Sequence, residues 1–180
     1  MSLSGKKILV GVTGSIAAYK AAIFVRALVK AGASVQVICT PAATQFISPL
    51  TLSTLSKHEC LVDYVNSDNS TWNNHVNLAL WADVMVLYPA TMNTIAKCAN
   101  GICDNLLMAT YFSCRCKVYI ARAMDEDMWQ HPANQQNISK LLSYGNHIFE
   151  VVSGELASGL VGKGRLQEPE EVLAFLEVQR

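Results

Sequence analysis

The sequence predicts an α/β chain folded as a three-layer sandwich, with a mostly parallel sheet between two layers of helices. Three observations carry this expectation. Short β-branched runs alternate along the chain with segments whose apolar residues recur at helical spacing. Such βαβα alternation implies right-handed crossovers and a sheet covered on both faces. No repeat or low-complexity linker interrupts the pattern, and 180 residues suffice for one domain with a substantial core, so residues 1–180 read as a single unit.

The elements follow in order. KKILVGV at 6–12 is a β-branched strand that runs into a glycine turn. SIAAYKAAIFVRALVKAG at 15–32 has helical spacing and stops at Ala31-Gly32, a C-terminal helix signal. SVQVICT at 34–40 is the second strand. PAATQFISPLTLSTLS at 41–56 opens with a proline suited to a first helical turn and carries Pro49, which divides it into two short pieces. TWNNHVNLALWAD at 71–83 holds a short helix with His75 at its start. ADVMVLYP at 82–89, CKVYIA at 116–121 and GNHIFEV at 145–151 are the third, fourth and fifth strands, and EPEEVLAFLEVQ at 168–179 is the closing helix. VVSGELASGLVGKGRLQEP at 151–169 differs: four glycines, two positive charges and little periodicity. It reads either as a solvent loop or as a flap, at 153–168, over a site at the strand ends.

Composition excludes several functions. Fourteen Lys and Arg balance fourteen Asp and Glu, so no basic excess points to nucleic acid or to an anionic membrane face. No apolar run is long enough for a membrane span, and no signal-peptide core precedes the first strand, which predicts a cytoplasmic protein. The six cysteines form no CxxC and no zinc-like spacing, so they read as reduced, mostly buried thiols, with no metal site. Hydrophobic residues make up 51% and charged residues 16%. Such a balance fits a surface partly covered by a partner subunit, and it also fits a sheet buried on both faces.

In such sheets ligands bind beyond the carboxyl ends of the strands, which singles out GVTGSIAA, CTPAATQF, YPATMNTIAK and ARAMDEDMW. In the first, two glycines permit a tight turn and a helix start offers free N–H groups; with the Thr13 and Ser15 hydroxyls this suits a phosphate. Neither a Walker A loop nor GxGxxG is present, and a plain tight turn fits the segment nearly as well. Thr40 and Thr91 add hydroxyls at neighbouring strand ends, favouring a mononucleotide over a dinucleotide. His75 stands near this edge in the sequence pattern, whereas His58, His131 and His147 read as structural. No HExxH, nucleophile elbow or Ser-His-Asp order is found.

Taken together, the four segments resemble the homo-oligomeric flavin-containing cysteine decarboxylases. The most specific pieces are HVNLALWAD and PATMNTIAKCANGICDNLL, within 75–107; GVTGSIAAYK agrees, and SGELASGLVGKGRLQEP looks like the family's substrate flap. The resemblance runs from residue 6 to about 172. It implies a Rossmann-like, flavodoxin-like fold and the cofactor FMN. It puts the phosphate at Gly14, Ser15 and Ile16, helped by Thr40 and Thr91, with Phe46, Met92 and Asn93 flanking the flavin and Ala123 and Met124 near its ring. It further implies a homo-oligomer, a trimer or a dodecamer of trimers, with the site at the subunit interface. There the neighbour supplies His75 as base or orienting group, and Asn105 belongs to the same interface and to the substrate site. The implied reaction is FMN-dependent decarboxylation of 4′-phosphopantothenoyl-L-cysteine to 4′-phosphopantetheine in coenzyme A biosynthesis, with a phosphopantothenoylcysteine synthetase domain as a partner in bifunctional relatives. Hydride leaves the thiol-bearing carbon, the resulting thioaldehyde acts as electron sink for loss of carbon dioxide, and the hydride then returns.

The chain departs from the family pattern at particular positions. The substrate motif PAMNxxM[WY] reads Arg122-Ala123-Met124-Asp125-Glu126-Asp127-Met128-Trp129. An ionised Asp125 would repel a substrate carboxylate, so either Asp125 is protonated, or Arg122 offsets it and the pair takes the place of the family's Asn, or Arg122 faces away and Asp125 accepts backbone or thiol hydrogen bonds. In the flap, Ser158 stands where the family has a cysteine that donates the final proton. Met128 remains a substrate contact, Lys163 and Arg165 read equally as contacts to the substrate phosphate or as a solvated flap surface, and Tyr88 and Met92 are expected to tighten the flavin pocket. The departures leave two alternatives: a related flavoprotein decarboxylase acting on a peptidyl C-terminal cysteine or another carboxylate, and a non-catalytic flavin-binding regulatory subunit.

Overall fold

The computed structural model describes residues 2–66, 70–155, 159 and 161–179. In chain order the elements begin with β1 (Lys7–Val12), α1 (Tyr19–Lys30), β2 (Ser34–Cys39), α2 (Pro49–Ser56), β3 (Val65–Asn66) and β4 (Thr71–Trp72). There follow α3 (His75–Trp81), β5 (Val84–Ala90), α4 (Met92–Asn100), α5 (Leu106–Ser113), β6 (Lys117–Arg122) and α6 (Glu126–Gln130). The chain closes with α7 (Pro132–Ser143), β7 (His147–Ile148), β8 (Val152–Glu155), β9 (Val161–Arg165) and α8 (Pro169–Val178).

The central sheet has the order β2-β1-β5-β6-β7, parallel throughout. The predicted α/β sandwich is therefore what forms. From β1 the chain turns outward to β2 and then crosses to β5 on the other side, so the strand order reverses between β1 and β5. Helices that leave these two strands diverge to opposite faces and open a crevice at their carboxyl ends.

Each face of the sheet buries its own core. On one side Phe24 of α1 stacks on Tyr88 of β5 with ring centroids 4.6 Å apart, and Val172 and Leu176 of α8 close the layer. On the other, Leu87, Ile95, Leu107, Ile120 and Leu141 join β5 and β6 to α4, α5 and α7. Strands buried on both faces must be apolar at successive positions, which is why β5 reads VMVLYPA without alternation. The 51% hydrophobic content thus has an internal cause, although Ile16, Tyr19, Leu50, Trp72, Val76 and Leu80 also stand exposed.

Three expectations are corrected, and one element is new. The fifth strand, expected over 145–151, is the two-residue β7: the Phe149 carbonyl accepts from the Arg122 guanidinium at 3.2 Å, so the ladder ends there. Within the glycine-rich segment, expected to show little regular structure, β8 and β9 pair antiparallel. A small hairpin of β3 and β4 precedes α3, too short to show a period in sequence. Among the cysteines, all free, Cys39, Cys60 and Cys98 are buried, whereas Cys103 is exposed and Cys114 and Cys116 are partly exposed. Among the described residues no acidic, His and Cys side chains group to hold a metal, and no helix is long and apolar enough to cross a membrane.

Phe24 and Tyr88 are both fully buried, and truncation of the former leaves a void that neither α1 nor the sheet can close. Phe24→Ala should lower unfolding stability by about 3–5 kcal/mol, read as a shifted urea midpoint with an unchanged slope.

Candidate functional site

Three chain turns meet at the mouth of the crevice, and each is started by a hydroxyl side chain. Ser15 has extended backbone and its Oγ accepts from the Ala17 N–H at 3.2 Å, beginning a single turn at Ile16–Ala18 that leads into α1. Thr40 caps the turn at Pro41–Gln45, its Oγ1 accepting from the Ala43 N–H at 3.3 Å. Thr91 caps α4 in the same way through the Thr94 N–H at 3.3 Å. Using the hydroxyl oxygen as acceptor leaves its proton for a ligand at Ser15 and Thr40, while the Thr91 proton goes to Thr94 Oγ1 at 3.2 Å. Each turn start also presents main-chain N–H groups with no partner inside the turn.

Thr13 behaves differently from its expected part. It is buried, donates to the Pro89 carbonyl at 2.7 Å and accepts from the Thr91 N–H at 3.0 Å. Its hydroxyl thus joins the end of β1 to the end of β5 and is spent on structure. Gly14, next in the chain, lies against the second turn: a side-chain carbon there would sit 2.9 Å from Ala42 Cβ and 3.1 Å from the Ala42 carbonyl carbon. Only glycine lets the first and second turns approach this closely.

Behind these turns lies a cleft of about 950 Å³, at the upper end of what small-molecule sites occupy. Gly14, Ser15, Ile16, Thr40 and Thr91 line its entrance, and Met92 and Asn93 its α4 side. Ala123, Met124, Asp125 and Met128, from the end of β6 and from α6, line the far wall, with Arg165 of β9 above and Asn105 at the rim. Asn105 caps α5 through the Met108 N–H at 3.0 Å, and its neighbour Asp104 pairs with Lys97 at 2.6 Å. That ammonium holds the Asp104 carboxyl below the usual carboxylate range. Backbone N–H groups and hydroxyls at one end, and Ile16, Met92, Met124 and Met128 along the walls, suit a phosphate attached to a flat apolar ring system.

Five expected residues lie outside this lining. Phe46 ends the second turn and is half exposed. Tyr88 faces the core, donating to the Gln167 carbonyl at 2.8 Å, so it does not tighten the pocket. Arg122 is only 5% exposed and directs its guanidinium to the Phe149 carbonyl, with the Glu150 carboxylate 3.8 Å away. It braces the far wall from behind and does not reach the cleft to hold a carboxylate beside Asp125. Lys163 lies 5.6 Å above the Trp129 ring centroid, fastening β9 to α6. His75 is the first residue of α3, packed edge-on against Tyr64 and Trp72, and its buried Nδ1 has no hydrogen-bond partner among the described residues. Ser158 lies outside the described residues.

The cleft also contains residues that motif reading passed over. Lys20, in the first turn of α1, lines it and pairs with Glu168 at 2.7 Å. Lys97 and Glu155 line it as well. Lys20 had a sequence signal, since it stands one helical turn beyond Ile16 in SIAAYK, but a lysine early in an amphipathic helix is ordinarily solvated.

Comparison with known proteins agrees with this geometry. A family model described as Flavoprotein matches residues 1–179. The chain is 58% identical over 127 residues to a cysteine/cysteine sulfinic acid decarboxylase from an unknown prokaryotic organism, covering 71% of this chain and 35% of the relative. It is 44% identical over 175 residues to the coenzyme A biosynthesis bifunctional protein CoaBC of Bacillus subtilis (strain 168), covering 97% of this chain and 43% of the relative. The chain therefore spans less than half the length of these curated relatives. Among solved structures it superposes on a PPC decarboxylase mutant complexed with pantothenoylaminoethenethiol, with a TM-score of 0.85, 26% identity and 97% of each chain covered. It also superposes on SpaF, an FMN-dependent cysteine decarboxylase, with a TM-score of 0.82, 28% identity and 98% of each chain covered. A matched family model over nearly the whole length, a shared fold and a phosphate-suited crevice lead to one assignment: this chain belongs to the flavoprotein family.

Proposed function

We propose that the chain is an FMN-dependent decarboxylase that converts 4′-phosphopantothenoyl-L-cysteine to 4′-phosphopantetheine in coenzyme A biosynthesis. The observation that carries the reading is the convergence of three capped turns on one end of a cleft whose walls are apolar. Likeness to the CoaBC protein over 97% of this chain supports the substrate.

FMN fits this cleft: N–H groups and hydroxyls at Ser15 and Thr40, and N–H groups at the Thr91 cap, hold its phosphate, while Met92, Ala123 and Met124 bracket its ring. When bound, FMN supplies reversible hydride transfer at the thiol-bearing carbon of the substrate, which gives the carboxylate an electron sink it otherwise lacks. The chain's own residues do the rest. With Arg122 turned away, Asp125 accepts from the substrate's thiol, Met128 lines the cysteine end, and Arg165 attracts the substrate's phosphate from above. Asn105 stands at the rim, where a second copy would close the cleft. His75, whose Nδ1 waits for a partner, enters the neighbour's site in a trimer or a dodecamer of trimers and takes or orients the thiol proton. Ser158 in the flap donates the last proton, more slowly than the thiol it replaces. On this reading residues 1–180 are a single decarboxylase domain of a cytoplasmic protein, and a phosphopantothenoylcysteine synthetase domain is its partner.

A second reading has a specific observation in its favour. The relative that is 58% identical is named for cysteine and cysteine sulfinic acid, substrates without a phosphopantothenoyl arm.

Purified protein supplied with FMN should show a flavin absorption spectrum, and Ser15→Asp, which opposes the phosphate with a carboxylate, should abolish it while leaving the far-ultraviolet circular dichroism intact. Phosphopantothenoylcysteine, cysteine, cysteine sulfinic acid and a peptide ending in cysteine, each added without air, should release carbon dioxide only from the first. Release from the second or third transfers the assignment to the other reading, and release from none leaves a flavin-binding subunit. His75→Asn should keep the flavin and lose about 10²- to 10⁴-fold in kcat. Subunits carrying His75→Asn, mixed with subunits carrying Ser15→Asp, should regain activity, because each intact cofactor site then meets an intact His75 from a neighbour. Ser158→Cys should speed the recovery of oxidised flavin severalfold after substrate bleaches it; an unchanged rate removes Ser158 from proton donation.

A further inference from the structure

Resting on the flavin-dependent reading, we propose that Lys20 is a positioning residue of the cofactor cleft: through Glu168 it clamps the return strand of the flap onto the helix that follows the phosphate turn. The residue lies in the first turn of α1, one helical turn past Ile16, and its side chain is only 8% exposed. A buried ammonium is costly unless paired, and its ion-pair partner is Glu168 Oε1 at 2.7 Å. The same oxygen accepts from Arg165 Nη2 at 2.9 Å. One carboxylate oxygen therefore ties together two cations, one on the phosphate-side helix and one on the flap strand β9. Both cations line the cleft.

Glu168 is well placed to anchor them. It is the residue that starts α8, and its main-chain N–H is taken by the Glu171 carboxylate at 3.3 Å in a reciprocal cap. The preceding residues are pinned as well: Leu166 is buried, and the Gln167 carbonyl accepts from the Tyr88 hydroxyl at 2.8 Å. At the other end of this stretch, the Gly164 carbonyl accepts from the Met124 N–H at 3.1 Å. Gly164 has φ +137°, and a side-chain carbon there would collide with the Met124 carbonyl oxygen. The segment 164–168 is thus a strap laid across the cleft, fastened to the far wall at Met124 and to the phosphate-side helix at Lys20. The Lys20 pair is the fastening that spans from the cofactor's phosphate end to the flap. Loss of either partner frees the strap at that end, and loss of Glu168 also leaves Arg165 without the carboxylate that orients it.

The experiment scores cleavage of the flap by a nonspecific protease at a low ratio, and FMN affinity by quenching of flavin fluorescence. Lys20→Met and Glu168→Gln should each raise the cleavage rate within 152–168 and weaken FMN binding by between about threefold and thirtyfold. Lys20→Arg should behave as wild type. The double variant Lys20→Met/Glu168→Gln should be no worse than the poorer single variant, because it removes the pair without leaving a lone buried charge. Single variants that cleave and bind as wild type overturn the proposal, and so do effects that simply add in the double variant. Cleavage is scored with and without FMN. A wild-type chain that binds no FMN thus sinks the functional reading alone, and the clamp stands or falls on cleavage.

Discussion

The site depends on one buried hydroxyl. Thr13 donates to the Pro89 carbonyl and accepts from the Thr91 N–H, so the ends of β1 and β5 are held at hydrogen-bond distance from each other. Parallel strands ordinarily share bonds only along their paired length, and the loops beyond are free to part. Here the chain is joined two residues past the last β1–β5 pair, Gly11 with Leu87, and the caps at Ser15 and Thr91 inherit their relative position from that join. A threonine fulfils both halves of the bond because a hydroxyl is donor and acceptor at once. Valine would have the same shape and neither function, leaving a buried carbonyl and N–H unpaired, each at a cost of about 1–3 kcal/mol.

Much of the architecture was legible because the strands are buried on both faces. That burial writes continuous apolar runs at 6–12, 34–40, 82–89 and 116–121, and periodicity reads such runs directly. The end of the cleft where the capped turns meet was legible for a similar reason: Ser15, Thr40 and Thr91 are local signals, and each acts within three residues of itself. What escaped were contacts made across long separations. Arg122 was assigned to the cleft because Asp125 is near in sequence, but residues three apart around a strand end point in different directions, and its partner is the carbonyl of Phe149. The role of Tyr88 was misread in the same way, since position along a strand does not say which face a side chain takes when both faces are apolar. Lys20 and Glu168 are 148 residues apart, and no local pattern joins them.

The electrostatics of the cleft are mixed rather than uniformly basic. Lys20, Lys97 and Arg165 line it, and so do Asp104, Asp125 and Glu155. Lys97 is matched by Asp104, and Lys20 and Arg165 share Glu168, so all three cations are already paired within the chain. An anionic ligand is then recognised chiefly by main-chain N–H groups at the turn starts. Those carry partial charge without a counter-ion and cost little to leave exposed before the ligand arrives. Such a site suits a phosphate without carrying a field strong enough to collect anions indiscriminately.

The shortness of β7 bears on how the protein behaves in a crowded solution. A parallel sheet must end somewhere, and its last strand offers a row of unpaired main-chain groups on which other chains can template. Here that strand is two residues long, and on its inner side the Arg122 side chain takes the Phe149 carbonyl where a further rung to β6 would begin. His147, Phe149 and Phe175 then stack over the exposed corner, with His147 and Phe175 centroids 4.7 Å apart. A last strand this short presents few outward main-chain groups, so it gives another chain little to pair with along this edge.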